Sequence, residues 1–438
     1  MAVTAVLVLL VIVLGFIPGV SLRNLGETIQ LGTHMGAKLA CSTRFVSGFD
    51  DAQVAEDIAS YSPALKQLSI QYVDNRAIVS LFGLSEASAT YREGVGCTLD
   101  HDSGKALQEV EVGAVEVVTG PWPKGDLVET VQPEISSRLN EMLLRDNAEG
   151  LNTRALVIVK DGQIIAESYA EGISYQTPLL GWSMAKSVTA MLIGRLEYEG
   201  RAPTPPFFDW QDERSDVSLQ HLLQMSSGLQ WDETYGPGSD STRMLFFEAS
   251  ASEYASQQPL AFQPGSHFAY SSGTANLLAR LVFDEVGATA QGNVDYFYAA
   301  LAQPLGMTTA VFEPDSDGAF IGSSYLYAGA RDWARLGLLM LNGGEINGQR
   351  LLSEEWVKRA ATPNASDNDP RYGYQFWLNG GGTELRWQQL PESAYAMNGN
   401  RAQTVMILPN QNMVLVRLGW TAGRYPLEQN FSEILGWF

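Results

Sequence analysis

A serine and a lysine three residues apart carry the clearest chemical signal in this chain. The sequence contains seven lysines, and only Lys186 has a serine, Ser183, three positions before it. Residues with this spacing share one face of a helix, so a hydroxyl and an amine can meet there. A desolvated lysine can take the proton of a serine and make it a nucleophile. The spacing therefore predicts a serine nucleophile with Lys186 as its base.

An alternative interpretation makes Ser183 an ordinary helix N-cap and Lys186 an ordinary first-turn lysine. The residues that follow are rich in Met, Val, Leu and Ile. A lysine at the start of such a helix would be buried, and the helix dipole disfavours a cation there. Both effects lower a lysine pKa and favour the neutral amine. The apolar surroundings therefore favour the catalytic interpretation.

A second motif, Tyr270-Ser271-Ser272, lies between Pro264-Gly265 and a predicted helix that begins at about Thr274. Taken alone, Tyr270 is a half-buried aromatic residue before a helix. The flanking turns, however, would present its phenol on a loop. A tyrosine beside a lysine can relay protons between a nucleophile and a leaving group. We therefore predict Tyr270 as the third catalytic residue.

Ser183-x-x-Lys186, Tyr270-Ser271-Ser272 and two C-terminal strands together resemble the serine beta-lactamase and penicillin-binding-protein superfamily. The Tyr-Ser-x version is similar to its class C branch, with the related carboxylesterases and 6-aminohexanoate-dimer hydrolases. Residues 222–231 and 330–337 resemble these relatives too. The likeness implies an α+β fold for about residues 120–438: a mostly antiparallel sheet flanked by helices, plus a helical subdomain. It implies no metal and no cofactor.

One segment departs from the superfamily pattern. Its K-T-G or H-x-G strand edge corresponds here to Gly399-Asn400-Arg401-Ala402-Gln403, with Asn400 in the basic position. The lysine of lactamases grips the carboxylate of the substrate, so its replacement argues against lactam or peptidoglycan-peptide specificity. Backbone donors depend less on the side chain. The resemblance therefore implies an oxyanion hole formed by the N–H groups of Ser183 and Gln403.

Tyr235, Asn400 and Trp377 are the predicted substrate-binding residues. The segment around Tyr235 resembles a loop that lines the substrate cleft of the nylon oligomer hydrolases, and an ordinary loop aromatic is the alternative. Trp377 is placed to line the cleft or to pack in the core. Asp332 and Arg335 lie three residues apart on a predicted helix, and we interpret them as a structural pair.

Charge and hydropathy restrict partners and location. The formal net charge of −21 argues against nucleic acid, because phosphate binding needs a basic face. Residues 2–20 contain no charged residue and are about long enough to span a bilayer. They lack a basic n-region and a clear A-x-A site, so a cleaved signal and an uncleaved anchor both stay open. We expect a periplasmic or extracytoplasmic protein that contacts the membrane through this segment.

Cys41 and Cys97 are the two cysteines of the chain. In an exported protein they would form one disulfide, and in a cytosolic one two buried thiols. They are too few for a metal site, and the four histidines show no ligand spacing. Residues 120–126 have the proline and glycine pattern of a linker. The predicted organisation is a signal or anchor at 1–22, an N-terminal region at 23–119 and a hydrolase domain at 120–438.

Hydrophobic periodicity places the elements of the hydrolase domain. We predict a hairpin around Asp161-Gly162, a helix that runs from the serine motif to Tyr198, and a mostly helical section at about 205–360. One mixed sheet is expected to join strands from both ends of the domain. The remaining predicted elements are helices at 134–147 and 431–438 and strands at 395–397, 404–408 and 413–418.

The motifs favour a serine hydrolase that cleaves a small-molecule or peptide-like amide or ester through an acyl-enzyme on Ser183. Three alternatives stay open. One is a beta-lactamase or D-Ala-D-Ala peptidase, which needs a carboxylate grip that Asn400 does not offer. Another is a non-catalytic relative that binds cell-wall or peptide ligands. The third is an interaction module in which the N-terminal region dominates.

Overall fold

The computed structural model of the protein describes residues 25–101 and 104–438. The apolar segment at 2–20 lies outside these residues. Across the described ranges, the structure contains no helix whose length and apolarity would suffice to cross a bilayer.

The N-terminal region is a small α/β unit. Helices α1 (Leu25–Phe45) and α2 (Asp51–Ala59) precede a four-stranded antiparallel meander. Its strands are β1 (Ser69–Val73), β2 (Arg76–Leu81), β3 (Ser85–Arg92) and β4 (Gly96–Leu99). Asp74 has a φ of 53°, as a tight hairpin turn requires, and the strands predicted on either side of it are confirmed.

A disulfide joins Cys41 of α1 to Cys97 of β4, with the two Cα atoms 5.9 Å apart. Of the two interpretations of these cysteines, the disulfide is therefore the one the structure shows. It fastens the first helix to the edge strand of the meander and closes a loop of 56 residues.

The region predicted as the hydrolase domain is built on a six-stranded sheet of order β12-β13-β14-β15-β5-β6, and each neighbouring pair is antiparallel. The expected mixed sheet is thus antiparallel throughout, because hairpins connect the neighbours within each half and β15 runs against β5. The strands are β5 (Thr153–Lys160), β6 (Gln163–Tyr169), β12 (Trp377–Leu378), β13 (Tyr395–Gly399), β14 (Gln403–Leu408) and β15 (Met413–Gly419).

Each face of this sheet covers a separate core. Leu156 and Ile158 of β5 pack with helices α3 (Pro133–Ala148) and α13 (Leu427–Leu435). Side chains that alternate with them along the strand enter the larger core on the other face. The helix predicted at 134–147 is confirmed. The closing helix begins four residues earlier than predicted, after Pro426.

A mostly helical section separates the two halves of the sheet, as predicted. It includes a small three-stranded sheet of order β7-β9-β8. Its strands are β7 (Leu179–Leu180), β8 (Val311–Phe312) and β9 (Leu326–Ala328). Strands β10 (Glu345–Ile346) and β11 (Gln349–Arg350) form a separate hairpin. The helices are α4 (Met184–Tyr198), α5 (Leu219–Leu223), α6 (Asp240–Phe246), α7 (Ala251–Ser256), α8 (Ser272–Glu285), α9 (Ala290–Phe297), α10 (Gln303–Leu305), α11 (Ala330–Leu341) and α12 (Glu354–Ala360).

The N-terminal region and the hydrolase domain share the larger core. Two buried ion pairs also join them: Lys38 lies 2.5 Å from Glu313, and Arg154 lies 2.5 Å from Asp57. The segment predicted as a linker packs closely, because Trp122 is buried beneath the guanidinium of Arg335. Helix α4, which directly follows Ser183, lies on the core face that the two regions share.

Candidate active site

Ser183 stands in the turn between β7 and α4. Gly181 fits this turn because a side chain there would lie 2.2 Å from the ring of Trp333. Ser183 occupies the N-cap position, but its side chain makes no capping hydrogen bond. The hydroxyl instead faces Lys186, whose Nζ lies 3.1 Å from Ser183 Oγ. The geometry therefore differs from that of a capping serine.

Lys186 is fully buried at the start of α4, as the apolar sequence around it predicted. Its Nζ has three hydrogen-bond partners, all uncharged: Ser183 Oγ, Ser272 Oγ at 3.0 Å and the carbonyl of Ser323 at 3.1 Å. Burial lowers the pKa of Lys186 to about 8, although the charge of nearby Glu233 opposes this shift. About a tenth of the Lys186 amine is therefore neutral at pH 7, and the neutral fraction rises steeply above that pH.

The three hydrogen-bond partners determine where the two N–H groups and the lone pair of a neutral Lys186 point. Ser272 Oγ donates to Glu233 Oε1 at 2.6 Å, so it accepts one N–H of Lys186. The Ser323 carbonyl can only accept, and it takes the second N–H. The amine lone pair then faces the hydroxyl of Ser183. Neutral Lys186 is thus oriented to accept the Ser183 proton.

Tyr270 lies over the same cluster, with its ring centre 4.8 Å from Lys186 Nζ. Its ring stacks on Trp377 at 4.9 Å and meets Tyr372 edge-on at 5.9 Å. Burial raises the pKa of Tyr270 well above its usual value, and a hydrogen bond with Ser183 opposes the shift. The phenol is therefore protonated in the resting protein and available as a donor.

Glu233 is a member of the site that sequence reasoning missed. One oxygen accepts from Ser272 Oγ and from Tyr235 Oη at 3.1 Å, and the other accepts from the Ser272 N–H at 2.7 Å. The second oxygen also accepts from Trp231 Nε1 at 2.7 Å. Ser272 was visible as the third residue of Tyr270-Ser271-Ser272, but no spacing in the sequence links it to Glu233.

The turn between β13 and β14 passes directly beside the serine turn. A Cβ on Gly399 would lie 2.1 Å from the carbonyl oxygen of Gly181, so the two backbones touch. Residues Asn400–Ala402 form a tight turn in which Arg401 and Ala402 have left-handed backbone, and β14 begins at Gln403. The Gln403 side chain turns away from the turn and bonds Gly419 of β15. The segment predicted as the oxyanion strand therefore lies next to Ser183.

The beta-lactamase family model, described as "Beta-lactamase", matches residues 143–428, including the serine, tyrosine and β13–β14 segments. The chain belongs to the beta-lactamase family. It is similar to the 6-aminohexanoate-dimer hydrolase of Paenarthrobacter ureafaciens, with 23% identity over 317 residues that cover 68% of this chain and 78% of that protein.

Two solved structures show the same fold as this beta-lactamase family member. One is a Bacillus anthracis protein provisionally described as a 6-aminohexanoate-dimer hydrolase, with TM-score 0.56, 21% identity and coverage of 74% of this chain and 89% of that one. The other is a penicillin-binding protein of Bacillus halodurans, with TM-score 0.52, 19% identity and coverage of 67% and 100%. The predicted family and the predicted α+β fold are confirmed, and the chain is a hydrolase of this family.

The structure of this family member gathers the three predicted substrate-binding residues around the cluster. Tyr235 exposes 48% of its surface, yet its hydroxyl points inward to Glu233 and lies 3.5 Å from Ser272 Oγ. Trp377 is half-buried against Tyr270. Asn400 is exposed at the turn, and its Oδ1 accepts from the N–H of Arg401 at 2.8 Å.

The predicted structural pair of α11 is confirmed. Arg335 Nη1 donates to Asp332 Oδ1 at 2.8 Å, and the second Asp332 oxygen accepts from Thr309. Among residues 25–101 and 104–438, no three His, Cys, Asp or Glu side chains are grouped to hold a metal ion.

Proposed function

We propose that this protein is a serine hydrolase that cleaves a small-molecule or peptide-like amide or ester through an acyl-enzyme on Ser183. The observation that carries the proposal is the arrangement around Lys186: a buried amine with uncharged partners, 3.1 Å from a serine hydroxyl that caps no helix. The similarity to a 6-aminohexanoate-dimer hydrolase supports a linear amide as the substrate class.

Acylation follows from this geometry. Ser183 Oγ attacks the substrate carbonyl carbon while its proton passes to the lone pair of Lys186. The C–N or C–O bond then breaks, and Tyr270 gives its proton to the departing nitrogen or oxygen. Lys186, which holds the proton taken from Ser183, then returns it to the Tyr270 phenolate, so that both groups regain their resting protonation states. In deacylation Lys186 takes a proton from a water molecule, whose oxygen attacks the acyl carbon. The bond from that carbon to Ser183 Oγ then breaks, and Lys186 returns the proton to Ser183 Oγ.

The tetrahedral oxyanion needs backbone donors. The predicted pair is the N–H of Ser183 and the N–H of Gln403. Within the turn at Asn400–Ala402 the Arg401 N–H is already taken, because it donates to Asn400 Oδ1 at 2.8 Å. Asn400 is the first residue of this turn and directly follows Gly399, which touches the serine turn. We therefore include the Asn400 N–H as the competing second donor.

The two donors can be distinguished by replacing Asn400 with proline, which removes its N–H. Gly399 has φ −131° and ψ 162°, the extended backbone that a residue before proline adopts. If the Asn400 N–H binds the oxyanion, Asn400→Pro lowers kcat by roughly 10²–10³-fold, as loss of one donor typically does. If the Gln403 N–H does so, kcat of this variant stays near that of the wild type.

Covalent trapping tests the proposed function. Wild-type protein, Ser183→Ala and Ser187→Ala are incubated with a fluorophosphonate, short-chain esters, linear amides and a lactam, and adducts are sought by intact mass. Ser187 is the matched control because it is buried on the same helix but bonds Gln375, not Lys186. We expect adducts on wild type and Ser187→Ala and none on Ser183→Ala.

The pattern across substrates separates the alternatives. Stable labelling by the lactam alone would favour a beta-lactamase or peptidase. The absence of any adduct on wild type, with ligand binding intact in Ser183→Ala, would favour a non-catalytic binding protein and overturn the proposal.

We further propose an extracytoplasmic location, with residues 2–20 as signal or anchor. The Cys41–Cys97 disulfide supports this, because disulfides persist in oxidising compartments. N-terminal sequencing and membrane fractionation of protein from its native cells test the proposal. A soluble protein with reduced cysteines in the cytoplasmic fraction would contradict it.

A further inference from the structure

The residue directly before the nucleophile is held in an unusual backbone conformation. Trp182 has a φ of 47°, a value that costs a bulky residue free energy unless its surroundings enforce it. Its buried indole is enclosed by three rings, with centroid distances of 6.3 Å to Tyr61, 5.9 Å to Tyr325 and 6.2 Å to Trp420. These ring contacts hold the Trp182 side chain in place. Because Ser183 is the next residue, the backbone of Trp182 sets the position of Ser183.

The turn at Asn400–Ala402, called the oxyanion turn because it carries or adjoins the proposed second donor, also has left-handed backbone. Arg401 and Ala402 have φ values of 61° and 63°. The buried guanidinium of Arg401 lies 3.8 Å from the ring centre of Tyr61 and 5.7 Å from that of Trp420. Two rings, those of Tyr61 and Trp420, therefore contact both the residue before Ser183 and the residue after Asn400, and the Tyr61 ring lies nearer to the guanidinium.

Tyr61 belongs to the N-terminal region, outside the residues 143–428 that the beta-lactamase family model matches. The segment around it is firmly anchored. Asp57 pairs with Arg154 of β5 at 2.5 Å, and Trp420 Nε1 donates to the Asp57 carbonyl at 3.0 Å and to Ser60 Oγ at 3.1 Å. The ring is thus presented by a rigid element of a region that the family fold does not include.

We propose that Tyr61 is a positioning residue for the hydrolase reaction, so that the N-terminal region completes the active site. The inference rests on the proposed function of Ser183. The Tyr61 ring fixes the separation between the nucleophile turn and the oxyanion turn, two backbones that each need external support. A displacement of about 1 Å in such a constellation can cost about 10²-fold in rate. The ring touches no reacting atom, so the loss falls on kcat rather than on KM.

The test uses the full chain with Tyr61→Ala, Tyr61→Phe and the control Tyr72→Ala. Tyr72 is a half-buried tyrosine of the same region that packs on Phe45 at 5.9 Å. The readouts are the rate of Ser183 labelling by a fluorophosphonate, kcat and KM for the best ester, and thermal unfolding. We expect Tyr61→Ala to label and turn over at least about tenfold more slowly with KM nearly unchanged. Tyr61→Phe and Tyr72→Ala should label at nearly the wild-type rate.

Equal labelling rates for folded Tyr61→Ala and wild type would overturn the inference while leaving the proposed function intact. So would an equal loss in Tyr72→Ala, because the effect would then be general destabilisation. If Tyr61→Ala does not fold, Tyr61→Leu replaces it, because leucine keeps apolar volume but has no flat ring. Its labelling rate, kcat and KM are then compared with those of wild type in the same way. Wild-type protein that never labels would overturn the proposed function, and this inference with it.

Discussion

Lys38 in the N-terminal region and Lys186 in the hydrolase domain are both fully buried, but their partners differ in kind. Lys38 Nζ lies 2.5 Å from the carboxylate of Glu313, which also accepts from Ser42 and from the Cys97 N–H. Lys186 Nζ contacts two hydroxyls and a carbonyl, and its nearest carboxylate, Glu233, acts through Ser272.

The difference shows that burial alone does not make a lysine a base. Burial lowers the pKa of both amines, and a carboxylate charge opposes the shift at each. At Lys38 the carboxylate of Glu313 contacts the amine directly, whereas at Lys186 the Ser272 hydroxyl stands between the amine and Glu233. A buried ammonium beside a carboxylate is a structural pair whose rupture leaves a charge uncompensated. A buried amine among neutral groups has a free lone pair near neutral pH. The partners therefore decide which lysine is suited to chemistry.

The largest expected effect comes from Lys186→Met. Removal of the amine leaves Ser183 without a base, so fluorophosphonate labelling should fall by roughly 10³-fold or more. Methionine fills a similar volume, and the variant should still unfold cooperatively. Labelling at the wild-type rate would abolish the distinction between the two lysines.

Lys38→Met should act on stability instead. It leaves the Glu313 carboxylate buried without a counter-charge, which typically costs about 3–5 kcal/mol of unfolding free energy. Chemical denaturation measures the loss, and labelling of the folded protein should stay within about threefold of wild type. Addition of Glu313→Gln should recover part of the stability, because the amide still accepts from the Cys97 N–H. Strong loss of labelling in folded Lys38→Met would show that this lysine also serves the chemistry.

Glu233→Gln tests whether the charge of Glu233, which contacts Ser272 and not Lys186, changes the pKa of Lys186. The amide oxygen can replace only part of the bonds to Ser272 and Tyr235, so we expect kcat to fall about 10–100-fold. The Glu233 charge raises the pKa of Lys186, so its removal should also shift the pH–rate profile to lower pH. An unshifted profile would mean that Glu233 has only a structural effect.

The smallest effect is the pH dependence of the wild type. Burial lowers the pKa of Lys186 to about 8, and only the neutral amine can accept the Ser183 proton. The value of kcat/KM should therefore rise with pH, roughly tenfold between about pH 7 and pH 9, and then level off. Steady-state kinetics measures this dependence, with an ester substrate that does not hydrolyse spontaneously over the same pH range. A rate that falls over that range would contradict a neutral lysine base.

Local patterns in the sequence predicted the hairpin around Asp161-Gly162, the helix after Ser183 and the C-terminal strands, because turn residues and side-chain periodicity act over short distances. They did not predict that the sheet is antiparallel throughout. Strand direction there depends on β15 pairing with β5, and those strands are more than 250 residues apart. Glu233 and Ser272 are 39 residues apart, which is also beyond the range of any local pattern.

The sequence by itself determined the Ser183–Lys186 pair, since three-residue helical spacing and an apolar surround bring a hydroxyl to a buried amine. It also determined the phenol on a loop and the absence of a basic residue at position 400. Only the tertiary structure decided the uncharged partners of Lys186, the carboxylate behind Ser272 and the ring of Tyr61 between two active-site turns. The physical reason is that desolvation, hydrogen-bond direction and ring contacts depend on which distant segments pack together, and no local spacing encodes that packing.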